Sequence, residues 1–460
     1  MADPANLNRR MGQTDALMLR IERSALLRST ILQVALLDGP PDADRMRTKV
    51  LKGTAQIPRF RQVPIPAGLP GVPPTWETTA DFDVDYHLRF ARLSGRNDRR
   101  AVLDEAARIG IQAFDPARPL WESHVINGIE DGGAAAIQKI HHSLGDGVSL
   151  LDIILLFVDI ERDPNEPPID FDDPTPEHTS AMARITQSWA SDSRAIARAA
   201  WSAPGQAARI ARDPIGHARS LLALSRSLAR LAAPGSGALS PIMMERSLGA
   251  RYDTLVVPLD PLRAAAKRVG GKLNTAFLAA VAGGLGKYHE EHGQPVEALR
   301  CAMPVNTRSG NDSSLGNQFS PARFRLPVSL GDTTELLEMA RDVTFAQKTE
   351  PGLSLADPMA RALNTLPATV VVPAFEYVMR GIDVVVSNVP GSPIPLYVAG
   401  AASLGNFGFA PRAGAAVNIT VISHQDELDV AINSDPAAIP DPELFTSCLQ
   451  EGFADVRKAV

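Results

Sequence analysis

Apolar residues recur along this chain with two different periods, and the changes of period mark its elements. Ser29 to Leu37 (STILQVALL) is apolar and carries β-branched residues, the pattern of a strand. Arg100 to Phe114 places Val102, Leu103, Ala106 and Ile109 at helical spacing, and Pro116 and Pro119 stop that helix. Ala134 to Ile140 (AAAIQKI) predicts a short buried strand, and Val148 to Val158 a helix beyond a tight turn. Further on, Thr254 to Pro258 and Arg300 to Pro304 read as strands. Leu273 to His289 reads as a helix with Ala276, Phe277, Ala280, Val281 and Leu285 on one face. Val384 to Val389 is a nearly pure β-branched strand, and Val417 to Ser423 with Leu428 to Asn433 predicts a hairpin over Gln425-Asp426-Glu427.

No fixed-period repeat is present, and both element types alternate, which predicts the α/β class. Two breaks divide the chain. Residues 161 to about 180 are acidic and proline-rich, with Asp163-Pro164, Pro167-Pro168, Asp173-Pro174 and Pro176. Helices then follow from Ala181 to Ala233, closed by Pro234-Gly235-Ser236-Gly237. The expected organisation is an N-terminal domain over 1–160, a linker and basic helical crossover over 161–240, and a second α/β domain over 241–460.

Composition narrows the classes. Hydrophobic residues make up 45% of the 460 and charged residues 21%, a globular balance. The net charge of -6 gives no basic surplus, so no nucleic-acid partner is expected. Two cysteines, Cys301 and Cys448, make neither a disulfide framework nor a zinc cluster, and a reducing, cytoplasmic compartment is the natural reading. Arg9 and Arg10 are followed by no apolar run, so no signal peptide is read. The most apolar run, Leu150 to Ile160, holds Asp152 and Asp159 and is too short to cross a bilayer. The crossover helices carry eight arginines from Arg184 to Arg230 with Trp189 and Trp201, against only Asp192 and Asp213. Such a helix lies in a lipid interface or packs its apolar face on the two domains with its arginines solvated.

The chemistry concentrates at His141-His142-Ser143-Leu144-Gly145-Asp146-Gly147, where a buried strand ends, a glycine-bearing turn follows and a helix begins. A histidine at a strand end is held rigidly, and neutral imidazole is a base near neutral pH. Gly147 and Gly145 allow close approach of backbone or substrate. Asp146 either complements the helix N-terminus or makes an ion pair that fixes the turn. No Gly-x-Ser-x-Gly elbow supplies a serine nucleophile, and adjacent histidines on a strand point in opposed directions, which disfavours a shared metal.

This run matches HHxxxDG and so resembles the superfamily of CoA-dependent acyltransferases, which includes chloramphenicol acetyltransferase, carnitine acyltransferases and condensation domains. Pro119-Leu120-Trp121-Glu122 before the histidines resembles the bacterial wax ester synthase/acyl-CoA:diacylglycerol acyltransferase branch. So do Trp76 to His87, Asn274 to Leu285, Pro304 to Arg308 with Leu315-Gly316-Asn317, and Ser387-Asn388-Val389-Pro390-Gly391 followed by Leu396 to Gly400. These stretches cover nearly the whole chain in order. The resemblance implies two chloramphenicol-acetyltransferase-like domains, each a mixed sheet flanked by helices, with a tunnel at their interface. Acyl-CoA is implied as co-substrate, diacylglycerol or a fatty alcohol as acceptor, and no cofactor or metal. Peripheral contact with the inner membrane face or a lipid droplet is expected from the water-insoluble substrates.

Residue by residue, the resemblance makes His142 the general base and gives His141 the task of shaping the turn. Asn274 is either an oxyanion donor or the cap of its helix, and Thr275 stands where the family usually has aspartate. Asp146 is expected to pair with Arg308. Pro119, Leu120 and Trp121, with Asn388, Pro390 and Gly391, either line the tunnel or serve packing and an ordinary turn. Competing functions are transfer to another hydroxylated acceptor, amide formation, and lipid or acyl-CoA binding without turnover. No carrier-protein domain is fused, and Asn406-Phe407-Gly408-Phe409 only loosely echoes the Asp-Phe-Gly-Trp-Gly of the plant-type branch.

Overall fold

A strand buried on both faces favours small or apolar side chains, and Ala134–His141 opens with Ala134, Ala135, Ala136 and Ile137; all its residues but Gln138 are buried, Lys139 and His141 among polar partners. In the computed structural model, which describes residues 9–69, 71–145, 157–164, 175, 180, 182–183, 186, 238–306, 319–329, 331–348 and 356–459, this strand lies inside one of two six-stranded sheets. The strands of the N-terminal half are β1 (Thr30–Leu37), β2 (Gln62–Ile65), β3 (Thr75–Thr78), β4 (Leu88–Arg92), β5 (Trp121–Asn127) and β6 (Ala134–His141). Those of the C-terminal half are β7 (Arg251–Pro258), β8 (Ala298–Asn306), β9 (Phe319–Pro327), β10 (Val384–Val389), β11 (Tyr397–Val398), β12 (Ala401–Phe409), β13 (Val417–His424) and β14 (Glu427–Ser434). The sheet orders are β11-β12-β1-β6-β5-β4 and β7-β14-β13-β10-β8-β9, with β2 and β3 forming a separate pair.

Both large sheets are mixed, as expected for the α/β class. β4 runs parallel to β5 in the first, and β10 runs parallel to both β13 and β8 in the second. Helices flank each. Helix Arg99–Gly110 is capped by Asp98, whose carboxylate accepts the Ala101 N–H at 2.9 Å, and buries Val102, Leu103, Ala106 and Ile109 on the first sheet. Helix Leu273–Glu291 is apolar nearly all round and forms the centre of the second core. It crosses helix Pro442–Lys458 so closely that a Cβ at Gly452 would lie 2.2 Å from the Ala280 oxygen.

The described strands and helices fall close to where periodicity puts them, except that the helix expected over Arg100 to Phe114 ends at Gly110, before either proline, and the expected hairpin turns at Gln425, whose φ is 53°. The expected helix Val148 to Val158 and the basic crossover lie almost wholly outside the described residues. One arrangement differs from a simple succession of halves. β11 and β12, from within 241–460, complete the N-terminal sheet: β12 pairs antiparallel with β1, Leu32 facing Phe409 and Ala35 facing Asn406. Without them β1 would be an edge with unpaired backbone groups. The β11–β12 turn is tight, with Ala399 and Gly400 both at positive φ (45° and 92°), the conformation of a two-residue hairpin loop. β12 then lies against the β13–β14 hairpin, where a Cβ at Gly408 would meet Ile422 at 2.7 Å.

Candidate active site

The ladder between β1 and β6 ends with Thr30 opposite His141. Beyond it the His142 N–H donates to the Ser29 carbonyl at 2.8 Å, and the chain turns through a 3-10 segment, His142–Leu144. The two histidines then part. His141 is 1% exposed. Its Nδ1 receives the Ser143 N–H at 3.0 Å and lies 2.7 Å from the Ser143 hydroxyl. Its Nε2 faces Glu22 Oε1 at 3.1 Å, a short contact without full hydrogen-bond alignment. Phe114 meets the ring edge-on, 6.0 Å between centroids. His142 stays half-buried.

Glu22 is the residue the sequence did not single out. It caps the C-terminus of helix Gln13–Ile21. A carboxylate there opposes the helix dipole, and that mismatch is the one hint the sequence held. Burial works against its ionisation, but His141, the Ser29 N–H and Arg28 outweigh burial and hold its pKa below the usual carboxylate value.

On the other half, Asn274 and Asn388 come together: the Asn388 side-chain amide donates to the Asn274 side-chain oxygen. Asn274 is half-buried in the first turn of helix Leu273–Glu291, and the N-cap position is held by Lys272. There the Lys272 N–H donates to the Thr275 hydroxyl at 3.3 Å, and the Thr275 N–H to the Lys272 carbonyl at 2.7 Å. The capping task therefore falls to Thr275. Its hydroxyl accepts the same N–H that an aspartate carboxylate at this position would accept.

The remaining candidates divide. Leu120 and Trp121 are 2% and 3% exposed, and Pro119 is buried. The Trp121 indole donates to the Phe60 carbonyl at 2.8 Å and stacks on His87 at 4.5 Å, which is core packing behind the sheet. Burial pushes His87 down to about 4, so this imidazole is a neutral packing partner at physiological pH. Pro390 is exposed. Gly391 donates its N–H to the Ser423 hydroxyl at 3.0 Å, and a Cβ there would lie 1.7 Å from the Ser423 carbonyl oxygen. The Pro-Gly turn thus needs glycine for close approach to β13. Asp146, Gly147, Arg308 and Leu315-Gly316-Asn317 lie outside the described residues, and so does the expected Asp146–Arg308 pair.

Below the histidines the same sheet face holds an ion cluster. Lys139, fully buried, sits 3.4 Å from Glu122 Oε1, and His124 sits 2.9 Å from Glu122 Oε2. Burial opposes ionisation of Glu122, yet His124, Lys139 and Arg89 bring it down to about 2. Among the described residues no three His, Cys, Asp or Glu side chains gather as a metal site, and no helix is long and apolar enough to cross a membrane. Cys301 and Cys448 are both buried thiols, and burial raises the pKa of each.

Comparison with known proteins adds a second line of observation. Residues 11–277 match the model of the wax ester synthase/diacylglycerol acyltransferase catalytic domain, and residues 315–457 match that of the corresponding C-terminal domain. The chain is 34% identical over 461 residues to a putative diacylglycerol O-acyltransferase of Mycobacterium tuberculosis, covering 98% of this chain and 92% of that one. A second putative diacylglycerol O-acyltransferase of the same organism is 30% identical over 403 residues, 84% of each chain. In fold, the chain is similar to the wax ester synthase/diacylglycerol acyltransferase from Marinobacter aquaeolei VT8, with a TM-score of 0.63 and 20% identity over 97% of this chain and 98% of that one. It is also similar to the first condensation domain of the calcium-dependent antibiotic synthetase, with a TM-score of 0.61 and 14% identity over 98% and 96%.

Proposed function

The chain belongs to the wax ester synthase/diacylglycerol acyltransferase family, and on that premise we propose that it moves a long-chain acyl group from acyl-CoA to the hydroxyl of diacylglycerol or a fatty alcohol, with His142 as general base. One observation carries the assignment of the base. The structure withdraws the His141 ring into contacts with Ser143 and Glu22 and leaves His142 half-buried at the end of β6.

In the proposed step, the acceptor oxygen forms a bond to the thioester carbonyl carbon as its proton passes to His142. The tetrahedral intermediate then breaks its C–S bond, and the imidazolium returns the proton to the departing thiolate. No acyl-enzyme is formed. General-base help of this kind contributes about 10²–10⁴-fold. The oxyanion needs a fixed donor, and we assign that role to the Asn274 amide, whose oxygen is engaged by Asn388 so that its NH₂ is the group it presents. Water-insoluble substrates favour peripheral contact with a membrane or lipid droplet. Vesicle flotation of the chain with and without residues 181–233 tests it; equal binding by both forms removes that segment from the account.

Release of free CoA from long-chain acyl-CoA, measured with and without diacylglycerol or hexadecanol, tests the function. Acceptor-dependent release is expected. Release with neither of these but with another hydroxylated compound moves the assignment to that acceptor. Acyl-CoA binding with no release for any alcohol supports a binding protein instead.

A further inference from the structure

We propose that Glu22 is a positioning residue for the acyl-transfer base, acting through His141 and through Ser29. This rests on the reading of His142 as that base. The juxtaposition that carries it is a closed ring of contacts around the end of the β1–β6 ladder. Glu22 Oε1 accepts the Ser29 N–H and lies 3.1 Å from His141 Nε2. Ser29 in turn accepts the His142 N–H on its carbonyl at 2.8 Å. One carboxylate oxygen thus accepts from the residue whose carbonyl holds the base's own backbone and lies 3.1 Å from the side chain before the base.

The tautomer of His141 follows from its other nitrogen. Nδ1 receives the backbone N–H of Ser143, so it carries a lone pair and no proton. In the neutral ring the proton sits on Nε2, facing Glu22. A carboxylate in that place selects this tautomer and fixes the ring, and Glu22 is held in its ionised form by the surroundings described above. Ring and turn are then locked together, because the same Ser143 whose N–H reaches Nδ1 follows His142 directly.

Nothing local to its helix explains Glu22. A carboxylate at a helix C-terminus is unfavourable there. The side chain is only 17% exposed and turns toward the histidines instead of solvent.

The test uses the full chain. Glu22→Met keeps the volume and removes the acceptor oxygen; Glu22→Gln keeps an oxygen that can serve both donors. Glu22→Met is expected to lower kcat about 10-fold or more, as a base displaced by a fraction of an ångström loses its aim, with KM for acyl-CoA within about 3-fold of the parent on the same argument. Glu22→Gln is expected to recover most of that kcat. In a His141→Ala background, Glu22→Met is expected to cost less than it does in the parent, since one of its two routes, the contact with the His141 ring, is already gone and only the Ser29 N–H remains. Long-range ¹H–¹⁵N correlation of histidine-labelled protein is expected to show His141 in the Nε2–H form in the parent and a mixture in Glu22→Met.

Parent-like kcat in a folded Glu22→Met, full multiplication of the two losses in the double variant, or a parent His141 in the Nδ1–H form each overturns the proposal. Where Glu22→Met does not fold, the parent spectrum decides alone. That spectrum needs no turnover. A chain that transfers no acyl group but shows the Nε2–H form refutes the function and leaves the Glu22 contact standing.

Discussion

Asn388 donates its side-chain amide to Asn274 across 114 residues of chain, joining the strand that runs into the Pro-Gly turn to the first turn of the largely buried helix Leu273–Glu291. Because Lys272 and Thr275 close the N-terminus of that helix, Asn274 is relieved of capping. Asn274→Ala should therefore lower kcat by about 10²-fold while leaving stability nearly unchanged. Asn388→Ala should lose activity in the same direction, and the double variant should lose less than the product of the two. Steady-state rates with paired thermal melts check this; a melting loss that tracks the rate loss makes Asn274 structural.

His142→Ala should remove acyl transfer down to a residue of about 10⁻²–10⁻⁴ of the parent rate. His141→Ala should keep more activity than His142→Ala, because its ring touches Glu22 and Ser143. CoA-release rates under saturating acyl-CoA decide the order, and the reverse ranking exchanges the two roles.

Thr275 gives a stability prediction independent of catalysis. Its hydroxyl accepts the Lys272 N–H in a site 2% exposed. Thr275→Val should cost about 1 kcal/mol, the worth of a helix cap, and Thr275→Asp should cost less because its carboxylate can reach the same N–H. Chemical denaturation of both variants measures it. Equal losses would falsify the capping account.

Asp429 makes stability depend on pH. It is 1% exposed, and burial pushes its pKa up from 3.8 to about 7 against the opposing Asn406 N–H. Around it stand His424, 3.5 Å away, with Glu427 and Arg99. Below about pH 4 the acid is protonated in both states. Between about 4 and 7 the unfolded chain releases a proton that the folded chain keeps, so stability falls as pH rises across that window. Asp429→Asn should flatten the fall, and its melting temperature relative to the parent should be higher at pH 8 than at pH 4.5. A constant difference across that range would mean that Asp429 ionises freely in the fold.

Much of this was legible in the sequence, for reasons that differ by element. β10 matches its expected bounds, Val384 to Val389, because β-branched residues in an unbroken run leave few alternatives. The histidine run was readable because a strand, two glycines and an acid coincide within seven residues. Asn274 and Asn388 were each visible, but their bond was not, since nothing in a linear pattern ties residues so far apart. Thr275 looked like a departure from the family, and only its hydrogen bond shows that it does an acid's capping work. Glu22 offered only its mismatch with the helix dipole, and its partner was hidden for the same reason as the β1–β12 pairing: partner choice across the chain is a tertiary decision that local periodicity does not encode.

The pairing of β1 with β12 also fixes an order of events during synthesis. β1, β5 and β6 leave the ribosome long before Ala401–Phe409 is translated, so the nascent N-terminal half must wait with one side of β1 unpaired. An uncovered edge of this kind invites pairing with other chains, and contacts this distant in sequence form slowly. The first half therefore carries an uncovered strand edge until a segment from the last 60 residues of the chain arrives. Severing the gene near residue 240 should yield two fragments that assemble only when made together.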